Sequence, residues 1–155
     1  MSITIEKISY AHTKDARILE AVLGKWFQNP KDLNLTSPNM SYPFKFKKWV
    51  STYYTQDPID SFVIKSDSWI VGIGSIKISS ETKRGHIFHI FIDKEYRNQG
   101  FGRKTMDNLE LFAKNERAKF ADAEKSIPVT VNILWPNLSE SLPEIAEATT
   151  VPVPE

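Results

Sequence analysis

The stretch that most constrains the fold runs from Gly85 to Lys119, where a strand leads through a glycine loop into a helix. An Ile- and Phe-rich run free of Pro and Gly, ending at Ile92, predicts a buried strand. Beyond Gly102, apolar residues spaced by three or four predict an amphipathic helix. The first N–H groups of a helix lack internal partners, and the helix dipole favours negative charge there. The unit therefore predicts an anion site at the start of this helix.

The spacing of the loop distinguishes among phosphate-binding motifs. A Walker loop begins with a Gly at the position that Arg97 occupies here. It also needs Gly followed directly by Lys, whereas Arg103 separates Gly102 from Lys104. A dinucleotide fingerprint needs a third Gly at the position of Thr105. The pattern that does fit is Arg-x-x-Gly-x-Gly, from Arg97 to Gly102, directly after a strand.

This pattern, with the strand exit Ile-Asp-Lys-Glu-Tyr-Arg before it, resembles the acyl-coenzyme A signature of GNAT-type N-acetyltransferases. The resemblance implies an α/β fold of GNAT type, in which helices flank a central mixed sheet. It covers residues 3–137 and implies one GNAT-like acetyltransferase domain at residues 1–137. Residues 138–155 are predicted to form a divergent, flexible C-terminal tail.

Hydrophobic periodicity predicts the remaining elements in the order strand, helix, helix, three strands, helix, strand. The predicted ranges are strands at 3–8, 61–65, 69–79, 85–93 and 129–134, with helices at 16–27, 44–54 and after the glycine loop. Thr13 is expected to cap the first helix, Asn29-Pro30 to stop it, and residues 31–43 to form a loop. Gly72 and Gly74 predict a bulge or a close backbone approach. A crossover helix makes the strands at 85–93 and 129–134 parallel neighbours.

Length and composition limit the class of protein. A chain of 155 residues suits one domain. A net charge of +1 gives no field that points to nucleic acid or a membrane as a partner, and no apolar run has the length of a membrane span. The absence of Cys excludes disulfides and thiolate zinc sites and suits a reducing compartment, so we expect a cytoplasmic protein without a metal.

The resemblance also implies a binding mode for acetyl-CoA as cosubstrate. Main-chain groups of the strand end would bind the pantetheine arm, as an added strand would. The N–H groups of the loop would hold the pyrophosphate, with charge added by Arg or Lys side chains. The residues predicted to contact coenzyme A are Ile90, Phe91, Ile92, Arg97, Asn98, Gln99, Gly100, Phe101, Gly102, Arg103 and Lys104.

The implied reaction is direct attack of an amine, on a small molecule or a protein, on the acetyl thioester. Many relatives carry a Glu base on the central strand, and the matching position here is Phe88. Side chains in a strand repeat with period two, so His86 shares the face of Phe88, whereas His89 is expected on the other face. His86 is the favoured base. The alternatives are His89, Glu81, Asp93, His12, or proton transfer to bulk water.

The acceptor pocket is expected between the first two predicted helices and the adjacent strands. Tyr42, Trp49, Tyr53 and Tyr54 are candidates for lining it, although aromatic residues at helical spacing more often belong to the core. Lys45, Lys47 and Lys48 are read as a solvated face, with attraction of an acidic acceptor as the alternative.

The C-terminus departs from the family pattern. After Asn137, which resembles a strand-end Asn of the family, the tail contains no Tyr, Phe or Gly. The family Tyr that protonates the thiolate and the closing strands therefore have no counterpart, and the tail reads as a short helix at best and then as disorder. Either this member lacks that part, or a partner chain supplies it, or the usual ending has been lost. An open sheet edge would favour a homodimer.

Two further readings stay open beside an N-acetyltransferase. One is a non-catalytic acyl-CoA-binding or regulatory module, motivated by the missing Tyr and closing strands. The other is a glycine loop that makes an ordinary anion or protein contact. The sequence does not specify the acceptor.

Overall fold

The computed structural model describes residues 2–79, 84–119, 129–131 and 149–151. The helices are α1 (Thr13–Trp26), α2 (Pro30–Thr36), α3 (Phe46–Tyr53) and α4 (Phe101–Lys119), and a short 3-10 turn covers Lys94–Tyr96. The strands are β1 (Ile3–Ile8), β2 (Asp60–Ser66), β3 (Trp69–Ser79), β4 (Arg84–Ile92), β5 (Val129–Val131) and β6 (Thr149–Val151). No helix in the described ranges is long and apolar enough to cross a membrane.

The strands form one mixed sheet in the order β1-β2-β3-β4-β5-β6. Neighbours from β1 to β4 are antiparallel, β4 and β5 are parallel, and β5 and β6 are antiparallel. The parallel pair flanks α4 in the chain, which confirms the predicted crossover. Strand β3 has the bounds predicted from its alternating apolar residues.

Two apolar cores lie on opposite faces of the sheet. Helix α4 covers one face with Met106, Leu109 and Ala113, which pack against Ile87 and Ile90 of β4. Helices α1, α2 and α3 cover the other face; their buried side chains include Leu19, Leu23, Trp26, Leu33 and Trp49. The predicted α/β class with a mixed sheet between helices is confirmed.

The segment after α1 differs from the prediction. Asn29 caps a new helix, since its side chain accepts a hydrogen bond from the Lys31 N–H at 2.9 Å. Pro30 occupies the first turn, where its missing N–H costs nothing. Asn29-Pro30 therefore starts α2, and the prediction of a loop throughout residues 31–43 is wrong. The predicted cap is also wrong, because α1 already includes Thr13 and its N-cap residue is His12.

The C-terminal part contains one strand that the sequence did not predict. Thr149–Val151 form β6 and pair with Val129–Val131 of β5, which confirms the start of the strand predicted at 129–134. Two threonines and a valine suit a strand because their branched side chains pack well on a pleated surface. The prediction of disorder beyond a short helix is therefore wrong at these three residues. Residues 132–148 and 152–155 lie outside the described part of the chain.

Candidate active site

The end of β4 carries a β-bulge. Its pairing with β3 shifts between Ile73↔Phe91 and Ser75↔Phe88, so the single residue Gly74 faces both His89 and Ile90. His89 adopts φ 52°, in the left-handed region that side chains other than Gly rarely occupy. A residue inserted in this way interrupts the alternation of faces along the strand.

The bulge places His89 on the same side of the sheet as Phe88. The two rings lie 4.8 Å apart, and the His89 ring stacks on Trp49 of α3 at 4.1 Å. Ile87 and Ile90, on either side of this pair, pack into the core below α4. The prediction that His89 points to the face opposite Phe88 is therefore wrong, because the period of two breaks at the bulge.

His89 is held by aromatic side chains and one hydrogen bond. Its Nδ1 lies 2.7 Å from the Tyr54 hydroxyl, and Tyr53 meets the ring edge-on at 4.4 Å. The side chain is 6% exposed, and this burial lowers its pKa from 6.5 to about 3. His89 is therefore neutral throughout the physiological range.

The hydrogen bonds continue beyond His89 into the sheet. The Tyr54 hydroxyl also lies 2.8 Å from the Ser75 hydroxyl, which lies 3.1 Å from that of Ser61. The Tyr54 ring stacks on Tyr10 at 3.9 Å, and the Tyr10 hydroxyl accepts a hydrogen bond from Trp49. Burial raises the pKa of Tyr10 to about 12 and that of Tyr54 well above 10. Both phenols are neutral and serve to hold the bulge.

A cleft of about 670 Å³ opens beside the bulge. It lies between the end of α2, the end of α3 and the middle of β4. Its lining comprises Leu35, Thr36, Ser37, Pro38, Asn39, Thr52, Tyr53, Asp57, Ile59, Lys77, His86, Phe88, His89 and Ile90. Of the four aromatic candidates, Tyr53 lines the cleft and Tyr54 does not, while Trp49 is fully buried behind it and Tyr42 is 52% exposed elsewhere. The volume is within the range of small-molecule sites.

His86 lies in this cleft, half-buried and opposite Lys77 of β3. Burial lowers its pKa, and the nearby Lys77 charge lowers it further. A histidine that is neutral at pH 7 and faces a cleft can accept a proton.

The other candidate bases lie elsewhere. The Asp93 carboxylate accepts hydrogen bonds from Trp26 Nε1 at 3.0 Å and from the Glu95 N–H at 3.1 Å, so it caps the 3-10 turn. His12 is exposed at the start of α1, 3.9 Å from Asp15. Glu81 lies outside the described residues.

The glycine loop leads from this strand into α4. Asn98 and Gly100 both have positive φ, 62° and 86°, and an added Cβ at Gly100 would meet nothing within 4 Å. The Lys104 N–H donates to the Gly100 carbonyl at 3.1 Å. Within the described part of the chain, no group accepts a hydrogen bond from the backbone N–H groups of residues 99–103. These N–H groups lie at the positive end of the α4 dipole.

The outer edge of β4 can be assigned from its pairing. The Asp93 N–H donates to the Val71 carbonyl at 2.8 Å, so the N–H and C=O of Ile92 face away from β3. On that outer side, β5 pairs with Gly85–Ile87 of β4, and no described residue pairs with the rest of that edge.

Arg97 contacts the protein interior. Its Nε donates to the Ile92 carbonyl at 2.8 Å, and its guanidinium lies 5.2 Å from the Phe91 ring centre and 3.9 Å from Asp32. Its Nη2 atom is buried and has no hydrogen-bond partner among the described residues, and burial lowers the pKa of the group. By contrast, the predicted phosphate ligands Arg103 and Lys104 are exposed on the first turn of α4.

Sequence reasoning missed two charged residues of the cleft. Lys77 Nζ lies 2.7 Å from the Asp57 carboxylate, and both line the cleft near His86. Lys77 could be placed beside His86 only once the β3–β4 register was known. No group of three or more His, Asp or Glu in the described part of the chain is arranged to hold a metal ion.

The comparisons with known proteins identify relatives of this fold. An acetyltransferase of GNAT family from Staphylococcus aureus Mu50 is 13% identical, with a TM-score of 0.55 over 84% of this chain and 73% of that one. The PaiA N-acetyltransferase from Thermoplasma acidophilum, crystallised with coenzyme A, is 16% identical with a TM-score of 0.54. The match covers 88% of this chain and 82% of that one. A GNAT family acetyltransferase from Elizabethkingia anophelis with acetyl-CoA bound is 20% identical with a TM-score of 0.50. The match covers 83% of this chain and 63% of that one. No protein with a curated description matches the chain.

At such low identity these structures show the fold alone, whereas the family match is more specific. The model of the acetyltransferase (GNAT) family matches residues 25–129, which is more than half of the chain and includes the cleft, the bulge and the glycine loop. The chain therefore belongs to the GNAT acetyltransferase family.

Proposed function

We propose that this protein is an N-acetyltransferase that moves an acetyl group from acetyl-CoA to an amine by direct attack on the thioester. The observation that carries the proposal is the set of N–H groups at residues 99–103, which have no hydrogen-bond acceptor among the described residues and lie next to the outer edge of β4. Two relatives of the same fold were crystallised with coenzyme A or acetyl-CoA.

The loop suits a diphosphate for three reasons. Its N–H groups lie at a helix start, Gly100 leaves space for close approach, and Arg103 and Lys104 add positive charge. On the outer edge of β4, the Ile92 N–H is available to the pantetheine arm, whereas the Ile92 carbonyl is already bound by Arg97. The predicted phosphate contact of Arg97 stays a prediction, and its present contacts favour a role in holding the strand end.

The cleft suits the acceptor. It reaches the bulge at His89 and Ile90, so an amine held there lies close to the end of β4. We assign His86 as the base that takes the proton of the attacking amine, through water where the distance requires it. A backbone N–H near Ile92 would stabilise the charge that develops on the carbonyl oxygen.

The alternative is an acyl-CoA-binding module without catalysis. It is favoured by the absence of any Tyr in residues 138–155, the segment in which the resemblance places the acid for the departing thiolate. Both readings predict binding of acetyl-CoA, and only the enzyme predicts release of free thiol when an amine is present.

The test combines thermal melts with a thiol-release assay across a panel of amines. Acetyl-CoA at one hundred times its dissociation constant should stabilise the protein by about 2.7 kcal/mol. Gly100→Asp should abolish this protection and any turnover, because it puts a negative charge among the phosphate donors. Gly24→Asp, at an α1 position with nothing within 4 Å of the added Cβ, is the matched control and should keep both. Absence of protection in the unmodified protein would refute the proposal, and protection without thiol release would favour the binding module.

A further inference from the structure

His89 presents one of its two ring nitrogens to the cleft. Its Nδ1 is bound by the Tyr54 hydroxyl at 2.7 Å, whereas Nε2 has no hydrogen-bond partner among the described residues. In that part of the chain, Arg97 Nη2 is the only fully buried side-chain nitrogen or oxygen that lacks a partner. Since His89 Nε2 also lacks a partner, it is not sealed in the core, and it opens to the cleft that His89 lines.

His89 lies in the gap between the assigned base and the proposed site of attack. His86 precedes Ile90 by four residues, so it lies on the order of 10 Å along the strand from the point where the cleft meets the bulge. A hydrogen bond spans only about 3 Å, so the proton of the amine has to reach His86 through water. The cleft of about 670 Å³ has room for this water, since one molecule takes about 30 Å³. Between His86 and Ile90, His89 is the one polar residue of β4.

Tyr54 determines which ring nitrogen of His89 carries the proton. A phenol is a better hydrogen-bond donor than a neutral imidazole, and an imidazole nitrogen is the better acceptor, so the Tyr54 hydroxyl donates to Nδ1. The Tyr54 oxygen can in turn accept from the Ser75 hydroxyl at 2.8 Å, and the Ser75 oxygen from the Ser61 hydroxyl at 3.1 Å. The neutral imidazole therefore carries its proton on Nε2 and donates into the cleft.

Building on the transferase function proposed above, we propose that His89 Nε2–H binds and orients the water that carries the proton of the attacking amine to His86. A water molecule that accepts from Nε2–H keeps its other lone pair for the amine proton and its own hydrogens for the path to His86. As the amine nitrogen bonds to the acetyl carbon and the carbon–sulfur bond breaks, one proton passes along the water to His86 and the thiolate leaves.

His89 itself takes no proton in this step. Burial lowers its pKa to about 3, so it can hold the water without trapping the proton on its way to His86. His89 is thus a positioning residue, and Tyr54 fixes the orientation of its ring and the place of its proton.

Nitrogen-15 NMR of the free protein tests the tautomer without any reaction. At pH 7, His89 should show a protonated Nε2 and an unprotonated Nδ1. Tyr54→Phe removes the donor to Nδ1 and should give a mixture of both tautomers. Tyr10→Phe removes a neighbouring buried phenol, which contacts Tyr54, Phe46 and Trp49, and should keep the proton on Nε2. A proton on Nδ1 of His89 in the unmodified protein would overturn the proposal.

Thiol-release kinetics with the best amine of the panel test the role in the reaction. His89→Asn keeps the left-handed backbone but withdraws Nε2. It should lower kcat about 10²-fold and leave the KM of the amine nearly unchanged, because the path of the proton is lost and the acceptor contacts are not. The fall of kcat at low pH that His86→Gln removes should remain in His89→Asn. His12→Asn makes the same substitution at an exposed site and should keep kcat.

Thermal melts show that each variant is folded at the assay temperature and still protected by acetyl-CoA. An unchanged kcat in His89→Asn would overturn the proposal, and an effect confined to KM would overturn it as well. Disappearance of the low-pH fall in His89→Asn would make His89 the base and would also overturn it. Loss of acetyl-CoA protection in the unmodified protein would instead overturn the transferase on which this inference rests, while the NMR result would still report the tautomer.

Discussion

His89 should make the stability of this protein fall steeply in mild acid. Burial lowers its pKa from 6.5 to about 3, so the folded state binds its proton far more weakly than the unfolded state does. A histidine whose pKa is lower in the folded state than in the unfolded state stabilises the fold at pH values above its unfolded pKa. This contribution to stability is lost as the pH falls from 6.5 towards 3. The pH dependence of stability has the same direction for any histidine that is buried in its neutral form.

The magnitude follows from the two pKa values. Between pH 7 and pH 5 the unfolded imidazole becomes almost fully protonated while the folded one stays neutral, which costs about 2 kcal/mol. By pH 4 the cost rises to about 3 kcal/mol. Such a loss is a large share of the total stability of a small domain.

Urea unfolding at pH 7, 6 and 5 measures this slope directly. His89→Asn is the best variant, because Asn tolerates the left-handed backbone at φ 52° and does not titrate. It should be less stable at pH 7 but should lose about 2 kcal/mol less than the unmodified protein on going to pH 5. His12→Gln removes an exposed histidine and should keep the steep slope. Equal slopes for the unmodified protein and His89→Asn would refute the neutral, buried state of His89.

Three further substitutions, two of them with a control variant, test packing and site roles. Gly74→Ala should lower the free energy of unfolding, measured in urea, by about 1–3 kcal/mol, because its Cβ would lie 2.9 Å from Ile90 Cδ1 and 3.1 Å from Thr105 Cγ2. The control Gly24→Ala, whose Cβ would meet nothing within 4 Å, should raise the free energy of unfolding by about 0.5–1 kcal/mol. Arg97→Ala should lower the stability of the free protein by about 1–3 kcal/mol, since it leaves the Ile92 carbonyl and Asp32 without their partner. The control Arg103→Ala should change stability by less than about 0.5 kcal/mol, but it should weaken the protection by acetyl-CoA. His86→Gln should lower kcat about 10²–10⁴-fold with acetyl-CoA protection intact, and an unchanged kcat would remove His86 as the base.

The strands of the sheet and the family of the chain could be predicted because both depend on patterns within short stretches of sequence. Alternating apolar residues define β3, and the run from Ile87 to Ile92 defines the end of β4. The glycine loop was also readable, since positive φ at Gly100 and an uncapped helix start are local consequences of the sequence. The local signal at Asn29-Pro30 was misread, because α1 already ends at Trp26 and this residue pair begins α2.

The acceptor side could not be predicted because it depends on strand register. The period of two assigned His86 and His89 to opposite faces, and only the pairing of Gly74 with two residues reveals the extra residue that reverses this. The ion pair of Lys77 and Asp57 joins residues that are distant in sequence and meet only in the folded chain. Both depend on tertiary contacts that no local pattern encodes.

The bulge also explains how one strand can serve two different sites. Before it, His86 and Phe88 face the cleft; after it, the outer edge of β4 lies beside the start of α4. His89 occupies the left-handed position, a conformation that costs energy and persists only where surrounding contacts hold it. Here those contacts are the Tyr54 hydrogen bond and the Trp49 and Tyr53 rings, all supplied by α3 and its C-cap. The helix that borders the cleft therefore also maintains the geometry of the strand at which we propose the thioester is bound.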